Sequence, residues 1–353
     1  MQKVLRRASR RVWNIAGEVL HYRKPDLSRA GYAHAFPHQD VVDSVRQHLV
    51  KSRDLSNTTV GRTDYLNVAE GIVRFFAKHQ RESGEIIDPI DNLEHQYSTP
   101  CFALVVAILN KHNRATDLTG RAWNALLAAV EAVSQNKAAD NHGDFYLFNA
   151  VQALNILREL YPTDIRIAVI EARIRKVAPK DAYRYIYTPQ RRHLHNWNVI
   201  ASCGEVLRDQ AGLGPADFHD RHLERQLLNF TSDGMYVDPN VPMVYDAFPR
   251  FFLETILQQG YRGKHRDAIN TLLERGELMS LLMQSPTGVL PTGGRTKQHT
   301  WGDIQQVIIF EIAARRFASR GDYVYAKAFK RSAHLAFAST LRWLRPTGEF
   351  QII

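Results

Sequence analysis

A short glycine-tipped turn recurs along this chain, and copies of it lead into stretches with helical periodicity. Ser83-Gly84-Glu85-Ile86-Ile87-Asp88-Pro89 is the first copy and Ser232-Asp233-Gly234-Met235-Tyr236-Val237-Asp238-Pro239 the second. Pro286-Thr287-Gly288-Val289-Leu290-Pro291 follows the same plan, and Pro346-Thr347-Gly348-Glu349-Phe350 begins it again. The Ser-Gly, Asp-Gly and Thr-Gly pairs are turn formers, and the prolines stop a helix from running through. Apolar residues fall at the i, i+3, i+4 spacing of a helix face over 64–79, 100–111, 120–134, 145–160, 164–177 and 197–210. The same spacing resumes over 217–229, 248–259, 265–283, 301–319 and 326–344, and strand-like alternation is scarce. Thr99-Pro100 reads as an N-cap followed by proline at the first helical position, and Pro249 sits where a first turn tolerates it. Tyr97, Tyr146, Asn196, Asp246 and Trp301 stand at or beside helix starts, at intervals of about fifty residues, which is a period of stacked helical pairs.

The spacing therefore predicts an all-α fold of repeated helical hairpins. About six hairpins can be counted, the number that closes an (α/α)6 toroid. A closed or incomplete toroid is expected over 61–353, behind an N-terminal helical segment at 1–60. Alternate connections are long and rich in Tyr, His, Asn, Asp, Arg and Trp, while the others are short. In an alternating array the long connections share one face, and closure gathers them around a pocket. The chain stops inside a repeating turn, so a further domain is expected beyond it.

Composition narrows the class of partner. Hydrophobic residues make up 44% and charged residues 23%, enough apolar material for a large core in an ordinary globular chain. No apolar run has membrane-spanning length, so no membrane partner is expected. The net charge of +10 favours an anionic partner. That charge is spread along the chain with no nucleic-acid motif and no basic stripe on one helix, so an acidic polysaccharide is expected before a nucleic acid. Cys101 and Cys203 lie in apolar helical stretches and read as buried thiols. No apolar region follows the basic N-terminus, which leaves the location open between the cytoplasm and, had a signal been removed, the periplasm or exterior.

Three groups of loop residues carry the candidate chemistry. The first is Arg191-Arg192-His193-Leu194-His195-Asn196-Trp197-Asn198, where histidines, uncharged amides and Arg192 suit a carboxylate. His193 and His195 lack further ligands at matching spacing, so neither a metal nor a cofactor is expected. The second is Tyr236, Asp238, Tyr245, Asp246, Phe248, Pro249 and Arg250. Here Tyr245 can act as acid or base beside the Arg250 guanidinium, or Arg250 can simply pair with Asp246. The third runs from Thr292 to Asp303. Its Gly293-Gly294 pair lacks the Walker pattern, but Arg295, His299 and Trp301 offer charge, proton transfer and a stacking surface. Glu94-His95-Gln96-Tyr97 and Asn141-His142-Gly143-Asp144-Phe145-Tyr146 occupy equivalent places in earlier repeats, which adds His95, Tyr97 and Tyr146 to the candidates.

On the loop–helix units at 233–253 and 288–306, and on the His-Asn helix start at 195–198, the chain resembles the α/α-toroid polysaccharide lyases, a group that includes the heparinase II/III-like enzymes. The resemblance covers about residues 80–353 and implies β-elimination at a uronic acid, with a β-sandwich domain often following the toroid. It implies His195 and Tyr245 as base and acid in either order, with His299 as second choice for proton transfer. Arg192, Asn196, Asn198, Arg250 and Arg295 would hold the carboxylate, while Tyr236, Trp301, His95, Tyr97 and Tyr146 would line the substrate cleft. A glycoside hydrolase on the same toroid would instead need a carboxyl pair, for which Asp88, Asp144, Asp238 and Asp246 are available. A helical-repeat scaffold that binds a protein partner is the non-enzymatic alternative.

Overall fold

The computed structural model describes residues 25–52, 59–183, 196–215, 218–238, 244–291 and 300–350, with the side chains of residues 239–245 and 292–300 left aside. In chain order its helices begin with α1 (Gln39–Lys51), α2 (Arg62–Ala77), α3 (Thr99–Lys111) and α4 (Thr119–Ser134). Then come α5 (Gly143–Leu160), α6 (Arg166–Lys176), the single turn α7 (Pro179–Ala182), α8 (Asn196–Gln210) and α9 (Phe218–Gln226). The last four are α10 (Val244–Gln258), α11 (Arg266–Met283), α12 (Thr300–Ser319) and α13 (Tyr323–Leu341). Among the described residues strand pairing is limited to three isolated bridges, Gln80 with Ile86, Phe230 with Tyr236 and Leu344 with Phe350. The fold is all-α.

Those bridges belong to the recurrent turn. Its first residue donates its N–H to the carbonyl four residues on: Arg81 to Glu85 at 2.9 Å, Thr231 to Met235 at 2.9 Å, Ser285 to Val289 at 3.1 Å and Arg345 to Glu349 at 2.8 Å. The glycine in each copy has positive φ, from 78° to 109°. This is a three-residue hairpin loop closed by a left-handed residue. Glycine is required for a second reason, because each tip presses on the backbone of a helix. A Cβ on Gly84 would stand 2.4 Å from the Asn124 carbonyl oxygen of α4, and one on Gly288 would stand 2.1 Å from that of Leu335 in α13. Gly234 meets Leu272 of α11 in the same way, and Gly348 meets Gly71 of α2.

The turn is tied forward as well. Ile86 donates its N–H to Thr99 Oγ1 at the head of α3 (3.0 Å), Tyr236 to Asp246 Oδ1 of α10 (2.6 Å) and Leu290 to Asp303 Oδ1 of α12 (3.4 Å). One hydrogen-bonding side chain at each helix head thus fixes the preceding turn. Two local expectations change in consequence. Thr99 serves the turn and makes no side-chain bond to the N-terminal amides of its own helix. The α10 helix starts at Val244, earlier than its periodicity predicts, which puts Pro249 inside the helix. There the proline removes one i→i−4 hydrogen bond.

By its contacts the chain divides into two compact units, Met1–Asp26 with Phe76–Leu223, and Leu27–Phe75 with Glu224–Ile353. In the first unit α3, α5 and α8 pack side by side, with α4 against α3 and α5, and α6 against α4 and α5. Trp123, Leu126, Phe148 and Leu154 are fully buried there. In the second unit α10 packs on α12, and each of them on the helix that follows it. Val42 of α1 joins Phe310, Phe317, Tyr325 and Phe329 in one apolar cluster, and Tyr325 donates its hydroxyl to the Val42 carbonyl at 2.6 Å. Tyr65 of α2 stacks edge to face on Phe337 at 4.7 Å. α1 and α2 therefore pack on the C-terminal hairpins. Each fully buried side chain of this size contributes about 1.5–3 kcal/mol.

Candidate functional site

The helix heads of the first unit gather most of the chemistry that the described residues offer. The Tyr146 hydroxyl of α5 donates to Glu94 Oε1 at 2.6 Å, and the Thr99 hydroxyl of α3 donates to the same oxygen. Gln96 donates its backbone N–H to Asp140 Oδ2 at 3.2 Å, which ties the segment before α3 to the segment before α5. The His142 ring, just ahead of α5, meets Trp197 of α8 edge to face at 4.9 Å and Phe145 at 5.3 Å. The heads of α3, α5 and α8 are thus joined at one end.

Two histidines lie in this cluster with different roles. His142 is buried, and its Nδ1 donates to Asp144 Oδ1 at 3.0 Å. The carboxylate fixes the tautomer and makes Nε2 the basic nitrogen of the ring, the arrangement of an oriented general base. His95 faces a carboxylate on each side, with Nε2 2.8 Å from Asp91 Oδ2 and Nδ1 3.4 Å from Asp140 Oδ2. Its hydrogen bond to Asp91 raises its pKa above the ordinary value, so the imidazolium is favoured. The Asp91 carboxyl is held low, first by the Leu93 N–H and then by His95. His95 is therefore a cationic clamp, poorly suited to removing a proton.

The tyrosines divide as well. Tyr97 is 55% exposed and stands edge to face on Phe145 at 5.1 Å, a platform on which a sugar ring can lie. Tyr146 is fully buried, and burial followed by the Glu94 charge pushes its phenol well above the ordinary value, so it remains a neutral donor. Asn196 and Asn198 are buried at the head of α8.

Side chains of the second group are used in building the second unit. The Tyr236 hydroxyl donates to Gln226 Oε1 at 2.7 Å and lies 3.2 Å from Asn229 Nδ2, and burial pushes its phenol up. Arg250, 1% exposed, donates through Nε to Asp246 Oδ2 at 3.0 Å and through Nη2 to Ser280 at 2.6 Å. The pairing with Asp246 that the sequence left open is made, and this guanidinium is taken up inside the protein. Trp301 of α12, half-buried, stands edge to face on Phe248 at 5.0 Å. The aspartates of the hydrolase alternative are similarly occupied: Asp246 holds Arg250, Asp144 holds His142, and Asp88 Oδ1 accepts the Ile90 N–H at 2.7 Å. Asp238 is buried. Arg192, His195, Arg295 and His299 lie outside the described residues, as does the side chain of Tyr245.

The His142–Asp144 pair was not singled out from sequence, where its segment reads only as one more rim loop. The available signal was His-x-Asp across a helix start, a spacing that lets the ring turn back onto the carboxylate. Among the described residues no group of three or more His, Cys, Asp or Glu side chains is placed to hold a metal ion, and no helix is long and apolar enough to cross a membrane. No family model, curated protein or solved structure matches the chain.

Proposed function

We propose that the chain is a polysaccharide lyase of the α/α-toroid class that cleaves a uronic-acid glycan by β-elimination. The observation that carries this reading is the His142–Asp144 pair, packed against Trp197 where the heads of α3, α5 and α8 meet. Elimination needs three things at one place. A base must take the proton at C5, the adjacent carboxylate must be neutralised so that this proton is acidic, and an acid must protonate the departing glycosidic oxygen. His142 Nε2 supplies the base, and Asp144 stabilises the imidazolium that forms. The electron pair of the C5–H bond becomes the C4–C5 double bond as the C4–O bond breaks. Asn196 and Asn198 at the head of α8 are the groups for the substrate carboxylate, and Tyr97 offers the ring a stacking face. His195 and Tyr245, which the sequence offers as base and acid in either order, are then the candidates for the acid, with His299 as second choice.

The test is ultraviolet absorbance of the conjugated double bond during incubation with a panel of uronic-acid polysaccharides and oligosaccharides. Absorbance should rise with at least one of them, and His142→Gln should lower the rate by about 10²–10⁴-fold while the melting transition stays cooperative. New reducing ends without absorbance would replace elimination with hydrolysis. Full elimination activity in His142→Gln would remove this histidine from the reaction.

A further inference from the structure

In the second unit the far ends of α10 and α12, away from the glycine turns, meet the head of α11 around an open groove of about 320 Å³. Its polar lining is Gln258, Arg266, Asn270, Arg315, Arg316 and Ser319, with two aliphatic side chains and no carboxylate. Arg316 is the floor. It donates to both oxygens of Glu254 at 2.9 and 2.8 Å and also to Glu277. Burial, with the Glu254 charge beside it, pushes the Glu277 carboxyl well up, and Arg316 opposes that shift.

Arg266 and Arg315 reach the groove from different helices with no acid between them. Arg315 Nη2 donates to Gln258 Oε1 at 2.8 Å. Arg266 Nη1 lies 3.3 Å from Asp267 Oδ1, but that side chain is 96% exposed and its charge is largely screened. Each guanidinium carries five N–H donors, so most of them remain for a ligand. Helix dipoles do not cancel this charge. Two C-terminal ends and one N-terminal end sum to about −0.5, against two full positive charges.

We infer that this groove binds a tetrahedral oxyanion group, phosphate or sulfate, either free or as an ester. Donors on separate walls, from Arg266 and Asn270 of α11 and Arg315 of α12, suit a group with oxygens in three directions better than a planar carboxylate. The inference uses none of the residues assigned to elimination and stands or falls separately from it.

Calorimetric titration with inorganic phosphate, inorganic sulfate and glucose 6-phosphate, at ionic strength held constant with sodium chloride, tests it. Saturable binding is expected, weakened by about tenfold or more in Arg315→Ala and in Arg266→Ala. Tighter binding of glucose 6-phosphate than of inorganic phosphate assigns the group to an ester, and the reverse order to the free ion. The Arg266 side chain is 56% exposed, so its removal leaves the fold intact and keeps the test decisive should Arg315→Ala unfold. Binding that survives both substitutions, or heats that chloride alone reproduces, would overturn the inference.

Discussion

The turn at Gly84 and the turn at Gly234 have the same backbone, yet their forward ties are built from different chemistry. In the first unit a neutral hydroxyl, Thr99, accepts the Ile86 N–H. In the second a carboxylate, Asp246, accepts the Tyr236 N–H, and its charge is then balanced by Arg250, which Ser280 also holds. A buried charge needs a buried partner, so the second joint takes up an arginine that the sequence leaves open between a ligand and Asp246. The first joint needs no counter-ion. Its neighbouring titratable groups, His142 and His95, are positioned by carboxylates at the helix heads and are not required to hold the turn. The same structural task, solved with a neutral group in one unit and an ion pair in the other, separates residues open to chemistry from residues closed to it.

The largest test of this contrast is Arg250→Ala. It leaves the Asp246 carboxylate buried without its cation and should cost about 3–5 kcal/mol in urea unfolding. A cost below 1 kcal/mol would show that the pair is not what holds the joint. Thr99→Val in the other unit removes a neutral hydroxyl, which leaves the buried Ile86 N–H without its acceptor and Glu94 with one donor fewer. Its cost should be smaller, roughly 1–3 kcal/mol by the same measurement. A loss as large as that of Arg250→Ala would erase the distinction between the joints.

A third joint sharpens the comparison. Asp303 of α12 occupies the place of Asp246, but Val307 stands where Arg250 would be, one turn further on. Burial raises the Asp303 carboxyl above the ordinary aspartate value, although the Leu290 N–H and Arg342 oppose the shift. A carboxyl whose folded pKa lies above its unfolded value binds its proton more tightly in the folded state. Stability from this group is therefore fully present below the unfolded pKa and lost as pH rises through the folded one. Asp303→Asn keeps an acceptor for Leu290 without the charge. It should raise the melting temperature modestly at neutral pH, with the gain disappearing as pH falls below about 4. A gain independent of pH would mean that burial of the charge is not its source.

Much of this architecture is legible in the sequence because it rests on local causes. Helical periodicity places α11 and α12 to within a residue at each end, and the Ser-Gly, Asp-Gly and Thr-Gly tips mark where the chain must adopt positive φ. Boundaries slipped where a contact distant in sequence decided them. The start of α10 follows from Asp246 reaching back to Tyr236, ahead of the proline that local rules would place in the first turn. The candidate site was less legible for the same reason. Residue type shows that Tyr236 and Tyr146 can bind a ligand, but not that Gln226 and Glu94 are already within reach of them.

The sequence by itself determined the all-α class, the spacing of its hairpins and the turn that joins them, since periodicity and glycine conformation act over a few residues. Only the tertiary structure decided that Gly348 packs against Gly71, that α1 and α2 complete the C-terminal hairpins, and that the Asp144 carboxylate aligns His142. Those outcomes depend on which surfaces meet after the chain has folded back on itself. Burial then determines whether a charged side chain faces a ligand or another part of the protein.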